Sequence, residues 1–557
     1  MAGYRGHMAE GSSPLLVGPL LRYVDETTAA IWVEVADRGV VTVTTTNRSY
    51  QAHTFTVHGH HYAMVDVTGL EPGDSYPYAI SLGTEQVWPP PGSSHPPSRI
   101  RTVAPDRGLR VAFGSCRTSA AHDSDAHRSH GPDVLRALAQ HLANCAPDES
   151  TWPSLLLMLG DQVYADATTD EMRDYIAGRR ELDRPKAIEL QSFDEYAHLY
   201  RTSWSDPDCR WLLSTLPTAM IFDDHDIRDD WNTSAAWRAE VRKARWWQRH
   251  IRAGLASYWV YQHIGNLSMR ERSDDPVWRE VLAIGRDGDA GEVLDALANR
   301  ADADPAAYRW SYHRDFGKVR LLVVDARAAR VLDEPGRKML DRATHAWLDD
   351  LLSGDVDHLL IGTSLPYLVP MGLHHLEAWN EAIVDGAWGR RAARLGERLR
   401  RMIDLEHWAA FQRSFRDVGR SIVEVVEGHR GEPPATVLFL SGDVHHSYLA
   451  DVDVGNGTSS RLLQAVCSPI RNTLPQWERW LAATTAHGLA RPMELLASRA
   501  RVPGPPFRWT IAEGPWFDNA IATLEIDGRQ AKLRWETADV DDSTATALRR
   551  LSSVRVA

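Results

Sequence analysis

Long apolar runs are missing from this 557-residue sequence: no stretch of about 18 uninterrupted apolar residues occurs, so no membrane-spanning helix is expected. The N-terminus, MAGYRGHMAEGSSPLLVG, lacks a charged segment followed by an apolar core and a small-residue cleavage site. With no secretory signal visible, the expectation is a cytoplasmic protein. Cysteine is scarce: Cys116, Cys145, Cys209 and Cys467 are too few and too scattered for a disulfide framework, and each reads as a free thiol. Positive charge is also in deficit. A formal net charge of −13 argues against a nucleic-acid surface, which needs lysine and arginine to displace counterions from phosphates. Internal repeats, coiled-coil heptads, a G-x-S-x-G nucleophile elbow, and P-loop or Rossmann fingerprints are all absent.

What is present is a globular composition, 43% hydrophobic and 25% charged, in a chain too long for one core. Residues 1–105 read as all-β, with "AAIWVEVA" and "VVTVTTT" alternating at period two. "GLEPGDSYPYAISLG" sets Leu70, Pro72, Tyr76 and Tyr78 in the spacing of a tyrosine corner, which resembles fibronectin type III and immunoglobulin-like sandwiches, with Trp32 as the expected core aromatic. After a boundary near Pro105, residues 106–557 read as an α/β domain with helical insertions and a C-terminal hairpin around Asp527-Gly528. Its buried-strand runs are "LRVAFGSC", "SLLLMLGD", "TAMIFDD", "VRLLVVDAR", "HLLIGTSLP", "TVLFLSGDVHH" and "RLLQAVCS". Residues 168–215, 234–265 and 372–429 read as long helical stretches, and 268–307 as an exposed helical insertion.

Several strand runs end in polar or ionisable residues, and in open α/β sheets ligands bind beyond the carboxyl ends of strands. "FDDHDIRDD" crowds Asp223, Asp224, His225, Asp226, Asp229 and Asp230 behind an apolar strand. Such a cluster repels itself unless a cation joins it, which points to metal. The other strand-end motifs are "FGSCR" with Cys116 and Arg117, "LGDQVYAD" with Asp161, Tyr164 and Asp166, and "LSGDVHHS" with Asp443 and His445. Each is weak alone; their order along successive strands is specific.

In that order they resemble the alkaline phosphatase D-like family of the metallophosphatase superfamily, whose pattern G-S-C, G-D-x-x-Y-A-D, D-D-H-[DE], D-x-R and G-D-V-H recurs here. The resemblance implies two face-to-face β-sheets flanked by helices. It also implies hydrolysis of phosphate mono- or diesters by a metal-activated hydroxide, with iron and calcium as cofactors and a small phosphate ester as partner. By the same carry-over Asp161 is the bridging ligand, Cys116 and Tyr164 serve one ion, and Asp224, Asp443 and His445 complete the ligand set. Thiolate and phenolate suit iron, whereas carboxylates lean the second ion toward calcium, manganese or magnesium. His225, beside Asp226 in sequence, is the expected general acid, with a plain ligand or structural role as the alternative. Arg117 and Arg327 either fork onto phosphate oxygens or pair with surplus aspartates.

Three departures from the family pattern stand out. Asp229 and Asp230 occupy the place of an Asn pair; "IGTSLP" offers Thr363 and Ser364 where many metallophosphatases place a ligating histidine; and many relatives are exported. A metallophosphatase scaffold that binds a phosphorylated ligand or protein without turnover is the competing reading. "LHHLEAW", with His374, His375, Glu377 and Trp379, is assigned to gating or packing rather than ligation, and "HDSDAHRSH" to a solvated loop.

Overall fold

The computed structural model describes residues 13–104, 107–145, 149–182, 188–455, 458–473, 490–541 and 545–557. The expected boundary near Pro105 lies outside the described residues. Nine strands come first: β1 (Leu15–Val24), β2 (Thr28–Val35), β3 (Val40–Thr45), β4 (Ser49–His53), β5 (Phe55–Val57), β6 (His60–Thr68), β7 (Ser75–Leu82), β8 (Glu85–Trp88) and β9 (Arg99–Arg101). They form two antiparallel sheets, β1-β2-β6-β5 and β4-β3-β7-β8, with β9 on β7. The result is an immunoglobulin-like sandwich. Its tyrosine corner is Tyr76, whose hydroxyl accepts the Glu71 backbone N–H at 2.8 Å.

Trp32 corrects one expectation. Side chains alternate along a strand, so in β2 Ile31, Val33 and Val35 enter the sandwich core while Ala30, Trp32 and Glu34 take the other face. That face is not solvated: Trp32 packs on Tyr62 and on Tyr261 of the following region, with ring centroids 5.6 and 5.2 Å apart.

The remaining strands are β10 (Leu109–Gly114), β11 (Leu155–Leu159), β12 (Thr218–Ile221), β13 (Tyr312–Phe316), β14 (Val319–Val324), β15 (His358–Thr363), β16 (Thr436–Ser441), β17 (Ser447–Asp453), β18 (Arg461–Val466), β19 (Arg508–Trp516), β20 (Ile521–Asp527), β21 (Gln530–Asp541) and β22 (Ala545–Arg555). They build a six-stranded sheet, β12-β11-β10-β20-β21-β22, and a seven-stranded sheet, β13-β14-β15-β16-β18-β17-β19. All seven expected apolar runs are strands, and all lie in the parallel cores of these sheets. Parallel strands covered on both faces need apolar residues at every position, which is why they read as unbroken runs.

The two sheets pack face to face. Leu321, Val323, Leu360, Leu438, Leu440 and Leu463 join Leu157 and Leu159 between them, while Leu322, Val324, Leu359, Ile361, Val437 and Phe439 point outward under helices that include Gln412–Val426. Gly362 allows a close approach: a Cβ there would lie 3.2 Å from Leu159 Cδ2. The fold is α/β, two sheets flanked by helices and preceded by an all-β sandwich.

The expected helical stretches are real but broken. Residues 372–429 form helices Met371–Val384, Arg390–Met402 and Gln412–Val426, the last two separated by a passage with Asp404 at φ 47° and a single 3-10 turn at Trp408–Ala410. The insertion 268–307 is helical as expected, in three segments.

Candidate metal centre

The carboxyl ends of β10, β11, β12, β14, β15 and β16 converge, and short turns there carry the ionisable groups. Several turns bend through left-handed backbone: Cys116 (φ 58°), Asp161 (50°), Asp443 (65°) and His445 (50°) are non-glycine residues in a region that costs about 1–3 kcal/mol each. Ser115 ties two of these ends together. Its hydroxyl accepts the Asp443 N–H at 3.1 Å, and a Cβ at Gly442 would sit 1.9 Å from that oxygen, so only glycine fits before Asp443.

The ligand atoms fall into three overlapping groups, each within 4.8 Å: Cys116, Asp161 and His445; Asp161, Asp224 and His225; and Asp223, Asp224 and Asp443. Asp161 belongs to two groups and Asp224 to two. Cys116 Sγ lies 3.3 Å and Tyr164 Oη 3.5 Å from Asp161 Oδ2, and Asn472 Nδ2 donates to Tyr164 Oη at 3.0 Å. The structure therefore brings together all six expected ligands, Cys116, Asp161, Tyr164, Asp224, Asp443 and His445.

Positive charge is short among them. Burial, together with neighbouring carboxylates, pushes the Asp161 and Asp224 carboxyls well above the usual range despite His225 and, for Asp224, Arg327. Burial, then Asp161 and Asp443, raises the Cys116 thiol, and burial, then Cys116 and Asp161, raises the Tyr164 phenol. Asp161 Oδ1 and Asp223 Oδ2 are buried and have no partner, whereas Asp224 Oδ1 is ion-paired with Arg327 at 3.2 Å. Partnerless carboxylate oxygens beside a thiol and a phenol make a donor set that fits metal ions.

His225 carries its own partner. Its Nδ1 lies 2.9 Å from Asp166 Oδ1, and its ring lies 4.7 Å from that of Tyr164. The expected neighbour Asp226 does something else: its carboxylate accepts the N–H groups of Asp223 (2.9 Å), Gln162 (3.2 Å) and Val163 (3.4 Å) and Gln262 Nε2 (3.0 Å), fixing the turns that carry Asp161. Sequence adjacency pointed to the wrong carboxylate because side chains on a tight turn diverge.

The arginines split. Arg117 is removed from the phosphate-binding role: its guanidinium is bound to Asp133 at 2.7 Å, the Ser203 carbonyl at 2.8 Å and Cys209 Sγ at 3.3 Å, which uses its donors. Arg327 stands inside the cluster. It pairs with Asp223, with Asp224 at 3.2 Å, with Glu406 at 2.6 Å and, more loosely, with Asp443 at 3.8 Å. Fully buried, it serves as an internal counter-cation rather than a phosphate fork. Asp325 of the D-A-R motif sets it in place, accepting the backbone N–H groups of Arg327, Ala328 and Ala329.

The Asn-pair departure has a structural answer. Asp229 N–H donates to Asp166 Oδ2 at 2.6 Å and Asp230 N–H to Asp224 Oδ2 at 3.1 Å, so both positions hold the site through backbone, while the Asp229 carboxylate adds a charge 3.9 Å from His225 Nε2. Thr363 and Ser364 are buried with unpartnered hydroxyls, and Ser364 adjoins the Gly160 turn. Sequence reasoning gave no role to Asp166, which the D-x-x-Y-A-D spacing could have flagged. It also missed Glu406 and His407, which lay hidden in an apparently continuous helix.

A sequence model of the PhoD-like phosphatase family matches residues 140–491, and one described as a domain of unknown function, DUF7800, matches residues 12–100. No curated protein matches the sequence. A solved structure of PhoD superposes with a TM-score of 0.59 over 98% of this chain and 91% of that one at 13% identity, which supports the fold alone. Purple acid phosphatase PPD1 from yellow lupin (Lupinus luteus) seeds gives a TM-score of 0.49 at 9% identity, covering 96% of this chain and 73% of that one, too slight a likeness to bear on either fold or chemistry. With its sequence model spanning more than half of the residues, the chain belongs to the PhoD-like phosphatase family, metal-dependent hydrolases of phosphate esters.

Proposed function

We propose that residues 106–557 form a two-metal phosphoesterase, phosphodiesterase or phosphomonoesterase, acting on a small phosphate ester, and that residues 1–105 form its immunoglobulin-like N-terminal domain. The observation that carries this reading is the overlap of ligand groups through Asp161 and Asp224, with an orphaned oxygen on Asp161. A carboxylate shared in this way suits two cations a few Å apart. Cys116, Tyr164, Asp161 and His445 would hold one ion, and their soft donors favour iron. Asp161, Asp224 and Asp443 would hold the other, favouring calcium, with manganese or magnesium as alternatives. Bound there, the pair would neutralise the carboxylates, polarise the phosphoryl oxygens and acidify water at neutral pH.

The chain's own groups then have defined tasks. Asp166 accepts both the Asp229 N–H and His225 Nδ1–H, which leaves Nε2, 3.9 Å from the Asp229 carboxylate, to hand a proton to the departing alkoxide. Arg327 stays paired and holds Asp223, Asp224 and Glu406 at fixed separation. Asn472 orients the Tyr164 oxygen toward Asp161.

Elemental analysis of protein purified without chelator, paired with bis-p-nitrophenyl and p-nitrophenyl phosphate assays, tests the reading. Two ions per chain and chelator-sensitive turnover of either ester are expected. Metal-loaded protein inert toward both would favour the non-enzymatic scaffold.

No described helix is long and apolar enough to cross a membrane.

A further inference from the structure

The passage between helices Arg390–Met402 and Gln412–Val426 returns the chain to the strand ends, where Leu405, Glu406 and His407 are buried. Glu406 is accounted for by Arg327, by Arg330 at 3.2 Å and by the Thr233 hydroxyl at 2.5 Å. His407 is not. Its Nδ1 lies 2.6 Å from Glu377 Oε1, and its Nε2 lies 3.4 Å from Asp443 Oδ2 without making a hydrogen bond.

Glu377 is completely buried, and His407 is its only ion-pair partner among the described residues. A carboxylate at that distance accepts a hydrogen bond from Nδ1–H, which fixes the tautomer and leaves the Nε2 lone pair directed at a second carboxylate. A lone pair facing carboxylate oxygen is repulsive unless something positive lies between them. Carboxylate–histidine pairs of this kind support metal-bound imidazoles, and two donors about 2.1 Å from one ion span a distance of this size.

We propose that His407 is a ligand of the metal centre, its Nε2 sharing an ion with Asp443, and that Glu377 is the residue that positions it. The assignment rests on the two-metal reading above. It supplies, from a helical insertion, the imidazole that Thr363 and Ser364 cannot provide at the end of β15. It also gives a task to Glu377 in the "LHHLEAW" segment, whose His374 is occupied in packing against Phe415 and Trp509 at 4.8 and 5.0 Å.

The test uses the full chain, stripped of metal and titrated with Mn2+, with affinity read by electron paramagnetic resonance and histidine nitrogens counted by its pulsed form. In His407→Gln the imidazole count should fall by one, and one Mn2+ should bind about ten- to a hundredfold more weakly. In Glu377→Gln the count should persist while affinity falls about tenfold. Far-UV circular dichroism confirms folding. Folded His407→Gln with the parent's nitrogen count and affinity overturns the assignment alone, because His407 would then only pair with Asp443 through a proton. If His407→Gln does not fold, unchanged affinity in Glu377→Gln overturns it. A parent chain that takes up no Mn2+ overturns the two-metal reading and this assignment with it.

Discussion

Two buried polar regions flank β12, and they treat a carboxylate in opposite ways. On the sandwich side, Glu34 is fully buried and fully answered: Oε1 meets His60 Nδ1 at 3.0 Å and Arg201 Nη2 at 3.2 Å, and Oε2 accepts from Tyr261 Oη at 2.9 Å. Nearby, Arg22 reaches from β1 to the carbonyls of Tyr261 and Gln262 at 3.0 and 2.5 Å and to Asn266 Oδ1 at 3.2 Å. Asn266 in turn satisfies both backbone groups of Met220 on β12. On the strand-end side, Asp161 is equally buried, yet one oxygen has no donor and the other meets a thiol and a phenol. Burial is common to both; supply of countercharge is not. Where the chain brings its own cation the region is structural, and where it withholds one an external cation has a place.

The sharpest way to break this contrast is Asp161→Asn. Losing the shared ligand should remove several kcal/mol of transition-state stabilisation, a fall in turnover on the order of a thousandfold, together with bound metal. In chelator the same variant should be more stable than the parent by about 1 kcal/mol, because a like charge in a crowded site has gone. Denaturant melts with and without chelator measure both. A metal-free Asp161→Asn less stable than its parent would mean the carboxylate cluster is already balanced.

Glu34→Ala is the converse. Removing one partner from a buried network should cost about 3–5 kcal/mol of unfolding free energy while metal stoichiometry stays unchanged. Loss of metal in folded Glu34→Ala would show that the two regions are a single energetic unit.

The same interface should make stability depend on pH. Burial alone would lower the His60 pKa, but its bonds to Asp194 and Glu34 carry it from 6.5 to about 9. A pKa raised on folding contributes stability that is complete below about pH 6.5 and lost as pH rises through about 9. The loss should be about 2 kcal/mol, counted once for His60 and Asp194 together. His60→Gln should flatten that part of the stability profile, and an unchanged slope would remove His60 as its source.

How much of this was legible follows from the same physics. The parallel strands declared themselves because burial on both faces demands apolar residues throughout, and the ionisable groups followed at their ends, as with Leu155–Leu159 before Asp161. Direction was harder to read. Trp32 looked like sandwich core and faces the neighbouring region, since an alternating strand buried on both sides does not say which face is which. Asp226 looked like the partner of His225, but Asp166 fills that role. Glu406 and His407 were invisible because helical periodicity continues on both sides of the break at Asp404, and only tertiary contacts turn the chain inward there. At Asp229 and Asp230 the backbone amides do the holding, and the Asp229 carboxylate stands 3.9 Å from His225 Nε2.

The smallest effect sharpens the comparison from outside both regions. Tyr76→Phe removes one hydroxyl that accepts the Glu71 N–H in the tyrosine corner, leaving the ring in place. The expected cost is about 1 kcal/mol in a denaturant melt, the ordinary worth of a single hydrogen bond. Neither metal content nor ester hydrolysis should move, because the corner lies at a turn that contributes no group to Glu34, Arg22 or the strand ends. A Tyr76→Phe protein with weakened metal binding would instead mean that strain in the sandwich reaches the site through β1 and β12, where the Thr218 hydroxyl bonds the Leu21 carbonyl at 3.1 Å, and the satisfied interface would then have to be treated as a mechanical link rather than as an inert seal.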